Sequence, residues 1–204
     1  VAGVDAVFHV AAKAGVWGAL EEYRQPNVVG TERVLAACRA HGVSKLIYTS
    51  TPSVIYGKDP IEGGDERLPY PDEYLTHYAA TKAEAERMVL AANGTNLATC
   101  ALRPHLIWGP GDTNLIPRVV DRARAGKLKR VGDGTNRVSV SYVENIAEAH
   151  LAACDRLAPG SPVGGEVYFV NQEEPVNCWG FINDVLTTLS EAPITKSIPL
   201  SVAY

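Results

Sequence analysis

Metal and disulfide signatures are what this chain most plainly lacks. Its four cysteines, Cys38, Cys100, Cys154 and Cys178, are scattered, with no Cys-x-x-Cys pair and no histidine spaced to complete a zinc site. They read as reduced thiols. The histidines, His9, His41, His77, His105 and His150, do not cluster. No apolar run approaches the ~20 residues of a membrane span, and no signal peptide is visible, so a soluble, cytoplasmic protein is the expectation. An excess of positive charge is missing too. Lys and Arg number 19 against 23 Asp and Glu, for a formal net charge of −4 and a pI near 5.7, which argues against nucleic acid or an anionic membrane as partner. The densest basic stretch, "RARAGKLKR" (122–130), reads as a solvated helix end.

What remains is ordinary globular composition, 46% hydrophobic and 21% charged over 204 residues, enough for a core without covalent staples. "VDAVFHVAA" (4–12), the opening of "VSKLIYTSTPSVIYG" (43–57) and "NLATCALRPHLIWGPGD" (96–112) are apolar rather than alternating runs, as strands buried on both faces require. Between them, "QPNVVGTERVLAACRAHG" (25–42) predicts a helix, with Pro26 in its first turn and Gly42 closing it. A Pro- and Gly-punctuated loop (58–74) leads to a second helix, "HYAATKAEAERMVLAANG" (77–94). This alternation predicts an α/β fold, a doubly wound parallel sheet with helices on both faces. Past residue 112 the rhythm changes: helices near 114–126, 144–158 and 178–189 are interspersed with short strands and "GEVYFV" (165–170). We therefore expect a partial dinucleotide-binding domain over 1–112 and a smaller substrate lobe over 113–204, interleaved with the last part of the sheet.

Tyr78 and Lys82 carry the chemistry. Four apart on a helix, they share one face with Cβ atoms ~5–6 Å apart. A phenol titrates near ~10, and bringing it to ~7 needs about 4 kcal/mol of preference for phenolate. A cation ~4 Å away at an effective dielectric of ~20 is worth about that much. The hydroxyls of "YTSTPS" (48–53) close a strand at its C-terminal end, where open α/β sheets place their sites. A Ser or Thr there can donate to an oxygen that gains charge.

Hydroxyl cluster, Pro-rich loop, Tyr-Lys helix and a strand ending in "RP" together resemble the extended short-chain dehydrogenase/reductase family over essentially the whole chain. The resemblance implies Thr51 as the catalytic hydroxyl, with Ser50 in reserve, Tyr78 as proton donor or acceptor, and Lys82 lowering its pKa and holding the nicotinamide ribose. "HVAA" (9–12) is similar to a segment whose small residues admit a cofactor, which implicates Ala11 and Ala12. "NVVGT" (27–31) resembles a helix motif that sets Asn27 toward the cofactor side, with Gly30 allowing close packing. "LRPHLIWGPGD" (102–112) is similar to the strand end that lines the nicotinamide, implicating Pro104 and Ile107. The implied cofactor is NAD or NADP, with no metal. Asn145 stands where the nucleotide-sugar members show Asp, and with "YTST", "EVYFV" and "EPVNCW" it resembles the 3β-hydroxysteroid dehydrogenase-like branch. The stretch from 102 to 150 is similar to bacterial 2-alkyl-3-oxoalkanoate reductases.

The resemblance also sets expectations that depart from the pattern. The Gly-rich GxxGxxG turn that seats a pyrophosphate is absent, as is the following strand whose end would select NAD or NADP. Two βαβ-type steps of ~30 residues would supply them, so about 60 residues are expected ahead of Val1, and the 4–12 strand would be an exposed apolar edge. The substrate expected is apolar, with a 3-hydroxy/3-oxo centre. Two alternatives stand beside it: a nucleotide-sugar epimerase or dehydratase, for which Arg137 falls one place off the diphosphate pattern, and a cofactor-binding relative without turnover. Trp17, Trp108 and Trp179 suit either a substrate wall or the core. Asn145 suits a structural hydrogen bond, and a homodimer would pair through the 25–42 and 77–94 helices.

Overall fold

The computed structural model describes residues 1–203. The chain folds into two compact units, one of residues 1–104 and 147–170, the other of 105–146 with 171 onward. Each is built around its own elements.

The first unit holds four parallel strands: β1 (Ala6–His9), β2 (Lys45–Thr49), β3 (Ala98–Pro104) and β8 (Val167–Val170), in the spatial order β1-β2-β3-β8. Apolar runs dictate this arrangement, because a strand with oil on both sides needs covering on both. Leu46, Tyr48 and Ala101 point to a core shared with Leu35, Cys38, Ala85 and Val89. Ile47, Cys100 and Leu102, one residue out of phase, point to the opposite core with Ala153 and Leu157. Helices α2 (Gly30–Ala40) and α3 (His77–Ala91) supply the first core, and the end of α5 (Val143–Arg156) the second. The doubly wound parallel sheet is therefore present. β1 lies at one edge, with Phe8 41% exposed.

The helix expected over 25–42 starts earlier and is not uniform. α1 (Leu20–Arg24) runs into a π-helical turn (Gln25–Val29) and then α2. Pro26 is the cause: it has no N–H to give to the carbonyl four residues back, so the ladder widens and the Gly30 N–H donates to Gln25 O, five residues back. Pro26 thus sits inside a continuous helical run rather than in its first turn. Gly42 does close the run, in the left-handed region at φ 66°, with the Val43 N–H reaching back to Cys38 O at 3.0 Å. α3 is capped by Thr76, whose hydroxyl accepts from the Ala79 N–H at 3.1 Å. It ends at Ala91, short of Gly94.

The second unit has α4 (Leu115–Arg124), α6 (Cys178–Thr188) and three short strand pairs. These are β4 (Ile107–Trp108) with β7 (Ser141–Tyr142), β6 (Arg137–Val138) with β9 (Val176–Asn177), and β5 (Arg130–Val131) with β10 (Ser197–Ile198). Asp112 starts α4 by accepting from the N–H groups of Asn114, Leu115 and Ile116 at 2.7–3.0 Å. Trp108 packs edge-on to Tyr142 and Phe181, ring centroids 5.2 and 5.5 Å away, on the wall of a cavity of about 840 Å³ between α4 and α6.

Candidate active site

The C-terminal end of β2 opens the site. Thr51 follows in extended backbone and caps a short 3₁₀ turn, its Oγ1 accepting from the Ser53 N–H at 3.3 Å and lying 3.2 Å from Ser53 Oγ. The Tyr78 phenol lies close to it. Burial pushes the Tyr78 hydroxyl above its ordinary value, and the nearby Thr51 hydroxyl pulls it partly back. The depression expected for Tyr78 is thus an elevation, and the phenol is held in its protonated form at neutral pH.

Lys82, one turn along α3, is 2% exposed. Its ammonium donates to Thr49 O at 2.7 Å and lies 4.0 Å from the centroid of the Tyr48 ring. Burial brings its pKa down to about 7, while the Glu86 carboxylate acts in the opposite direction. The structure therefore brings Thr51, Tyr78 and Lys82 together around the ends of β2 and α3, with the amine settled on β2.

Asn27 is buried and directs its amide to neighbours rather than presenting it to a cleft. Its Oδ1 accepts from the Lys13 N–H at 2.7 Å, and its Nδ2 donates to Lys13 O and Thr81 Oγ1, both at 3.1 Å. Thr81 lies on α3 between Tyr78 and Lys82 and donates to His77 O at 2.8 Å. Asn27 thus pins the loop that carries Ala11 and Ala12 to α3. Those two alanines are exposed, just past the end of β1. The widened turn at 25–29 is what lets Asn27 do this from within a helix. Gly30 is less constrained than expected, since a Cβ there would meet Gln25 O at 3.7 Å, an ordinary contact. Pro104 ends β3 buried, opposite Val170. Ile107 lies in the second unit, opposite Ser141 and 38% exposed.

The nicotinamide end of a dinucleotide suits the residues present in the first unit. Small side chains and hydroxyls edge the ends of β1 and β2, and the buried Ser50 hydroxyl has no hydrogen-bond partner among the described residues. Among the described residues no group of three or more metal-ligating side chains comes together, and no helix is long and apolar enough to cross a membrane.

Several side chains enter the site without having stood out in the sequence. Glu86 continues the Tyr78–Lys82 face by one more turn. Fully buried, it is paired with Arg103 and accepts from Tyr70 Oη at 2.6 Å; the same spacing that picked out Lys82 could have found it. His9 and Thr31 lie behind the site. Thr31 Oγ1 donates to Asn27 O at 2.6 Å, so at 2.9 Å it accepts from His9 Nε2, which fixes the neutral Nε2–H tautomer. Burial, helped by the Lys82 charge, holds His9 down at about 4. Trp17 is 90% exposed and so is not core; the Tyr23 hydroxyl donates to its carbonyl at 2.8 Å. Asn145, on the surface, donates to Gln172 Oε1 at 3.1 Å.

A family model described as the 3-beta hydroxysteroid dehydrogenase/isomerase family matches residues 1–201. A 2-alkyl-3-oxoalkanoate reductase of Stenotrophomonas maltophilia is 51% identical over 206 residues, spanning 100% of this chain and 62% of that relative. The human sterol-4-alpha-carboxylate 3-dehydrogenase, decarboxylating, is 40% identical over 195 residues, 94% of this chain and 52% of that protein. The chain thus spans roughly half to two thirds of the length of these relatives. Among solved structures, MoeE5 in complex with UDP-glucose and NAD is similar with a TM-score of 0.76 and 26% identity, covering 97% of this chain and 67% of that one.

Proposed function

The chain belongs to the 3-beta hydroxysteroid dehydrogenase/isomerase family, and from that premise we propose that it serves a nicotinamide-dependent oxidoreductase. The reaction lies at a 3-hydroxy/3-oxo centre of an apolar substrate, a steroid-like molecule or a long-chain 3-oxo acid. The observation that carries this reading is the placement of the Thr51 hydroxyl, at the end of β2, close to Tyr78 of α3, with the buried Lys82 amine one turn further along that helix and bonded to Thr49 O of the same strand.

In this reading the substrate oxygen sits between the Thr51 and Tyr78 hydroxyls. Thr51 donates to it as charge develops. Tyr78, held protonated by burial, gives its proton to the oxygen in the reducing direction. Lys82 supplies positive charge from beneath. When bound, the nicotinamide, NAD or NADP, supplies or accepts the reducing equivalent. Ala11, Ala12, Lys82 and Pro104 are the proposed contacts of the first unit, with Asn27 setting the loop.

The nucleotide-sugar alternative draws on the solved neighbour that carries UDP-glucose. Against it, Arg137 is engaged with Pro175 O and Glu174. Following the absorbance of NADH and NADPH with a panel of 3-oxo acids, 3-ketosteroids and UDP-sugars separates the two. Oxidation with the first two classes is expected; oxidation with the sugars alone would overturn the reading, and none with any class would favour the non-catalytic relative. Pairing of two copies through the outer faces of α2 and α3 belongs to the same proposal and is read by sedimentation.

A further inference from the structure

A buried lysine needs something to keep its ammonium in place, and the obvious carboxylate is already engaged. Glu86 stands one turn from Lys82, yet its two oxygens take Arg103 Nε at 3.0 Å, Arg103 Nη2 at 2.6 Å and the Tyr70 hydroxyl at 2.6 Å. The contacts made by the Lys82 ammonium are neutral: Thr49 O at 2.7 Å and the face of Tyr48, 4.0 Å from the ring centroid. An aromatic face carries negative quadrupole density, and its attraction for a cation strengthens once water is excluded. The ring cannot drift, because Tyr48 is buried in mid-strand on β2 between Leu46 and Ala101 of the same core.

Resting on the reading of Lys82 as part of the catalytic set, we propose that Tyr48 is its positioning residue, the aromatic face holding the ammonium at the site and favouring its charged form. The phenol oxygen has no part in this. It lies near Thr31 but completes no hydrogen bond of ordinary geometry among the described residues. Thr31 is occupied by Asn27 and His9. Burial raises the Tyr48 hydroxyl well above its ordinary value, so the ring stays a neutral phenol.

The other titratable groups facing Lys82 are Glu86 of its own helix, His9 of β1 and, through Glu86, Arg103 of β3, while Tyr78 faces the Tyr48 phenol. Only removal of the ring's π density separates Tyr48 from all of these at constant shape. Phenylalanine at 48 keeps the face, 3,4,5-trifluorophenylalanine keeps the outline but drains the quadrupole, and leucine removes the ring.

The test is an NMR titration of the protein carrying 13Cε-labelled lysine, with the Lys82 signal assigned by its loss in Lys82→Arg. Tyr48→Phe is expected to titrate within about 0.3 unit of the parent. The trifluoro variant and Tyr48→Leu are expected to titrate about one unit lower, the size of a desolvated cation–π contact. Identical titration in the Phe and trifluoro proteins would overturn the proposal, even if Tyr48→Leu failed to fold. So would a shift as large in Tyr48→Phe as in Tyr48→Leu. This readout needs no turnover, so its failure is distinct from that of the oxidoreductase reading. Where turnover is present, the limb of the pH–rate profile that follows Lys82 is expected to move with the NMR value.

Discussion

The Glu86 carboxylate takes the Arg103 guanidinium side-on, Oε2 to Nε at 3.0 Å and Oε1 to Nη2 at 2.6 Å, with neither side chain more than 2% exposed. The pair ties α3 to β3, an inner strand of the sheet. Two charges taken out of water gain little together but cost much when one is orphaned. Glu86→Gln is expected to lose about 3–5 kcal/mol in urea unfolding. The double variant Glu86→Leu/Arg103→Met should recover most of that loss.

Tyr78→Phe removes one oxygen from a partly buried site and leaves the ring. Turnover with a 3-oxo substrate should fall at least 10²-fold, within the range of a lost acid–base group. Cofactor affinity by titration calorimetry should hardly change, and the midpoint of unfolding should stay put. Retained turnover would remove Tyr78 from its role.

His9 is neutral in the folded protein down to about 4, against 6.5 for the free side chain. The unfolded chain therefore binds more protons between these values, and stability falls as pH drops from about 6.5 through about 4. The gap, 6.5 minus about 4, is worth about 3 kcal/mol at ~1.36 per unit. His9→Gln should flatten the acid limb of a stability–pH curve measured by denaturant titration.

Lys82 gives the opposite lesson about function. Its pKa falls from 10.5 to about 7 on folding, so its burial is a full penalty below about 7, relieved as pH rises toward 10.5. Lys82→Met is expected to stabilise the protein at pH 7 by a few kcal/mol while abolishing turnover. That gain should shrink toward pH 10.5.

Asn27→Ala deletes three hydrogen bonds at once, two to Lys13 and one to Thr81. A loss of about 2–4 kcal/mol follows from leaving buried partners unmade. Faster amide exchange should be confined first to residues 10–16. Unchanged exchange there would mean that the loop holds itself.

Much of the first unit was legible because its strands need no partner to identify them. An apolar run bounded by turns has few alternatives, and β2 and β3 fell inside the expected stretches. Tyr78 and Lys82 were visible through helical spacing. Tyr48 was not, since an aromatic in an apolar strand looks like any core residue until a cation is found over its face. Asn27 was seen in a motif, yet its role depends on where Lys13 lies, which only tertiary structure sets. The start of the first helix was misplaced because Pro26 normally marks a beginning, and here a wider turn accommodates it.

That wider turn fixes the phase of the helix beyond it. One residue in an α-helix swings the next by about 100°, so the extra residue taken up between Gln25 and Gly30 decides which way Thr31, Leu35 and Cys38 face. Those three side chains are buried, as are Tyr23 before the turn and Asn27 within it. Excising a single residue there would rewind the helix into ordinary register and rotate one of the two sets out toward water. Pro26 thus works as the gear tooth that lets one rod mesh with two different partners.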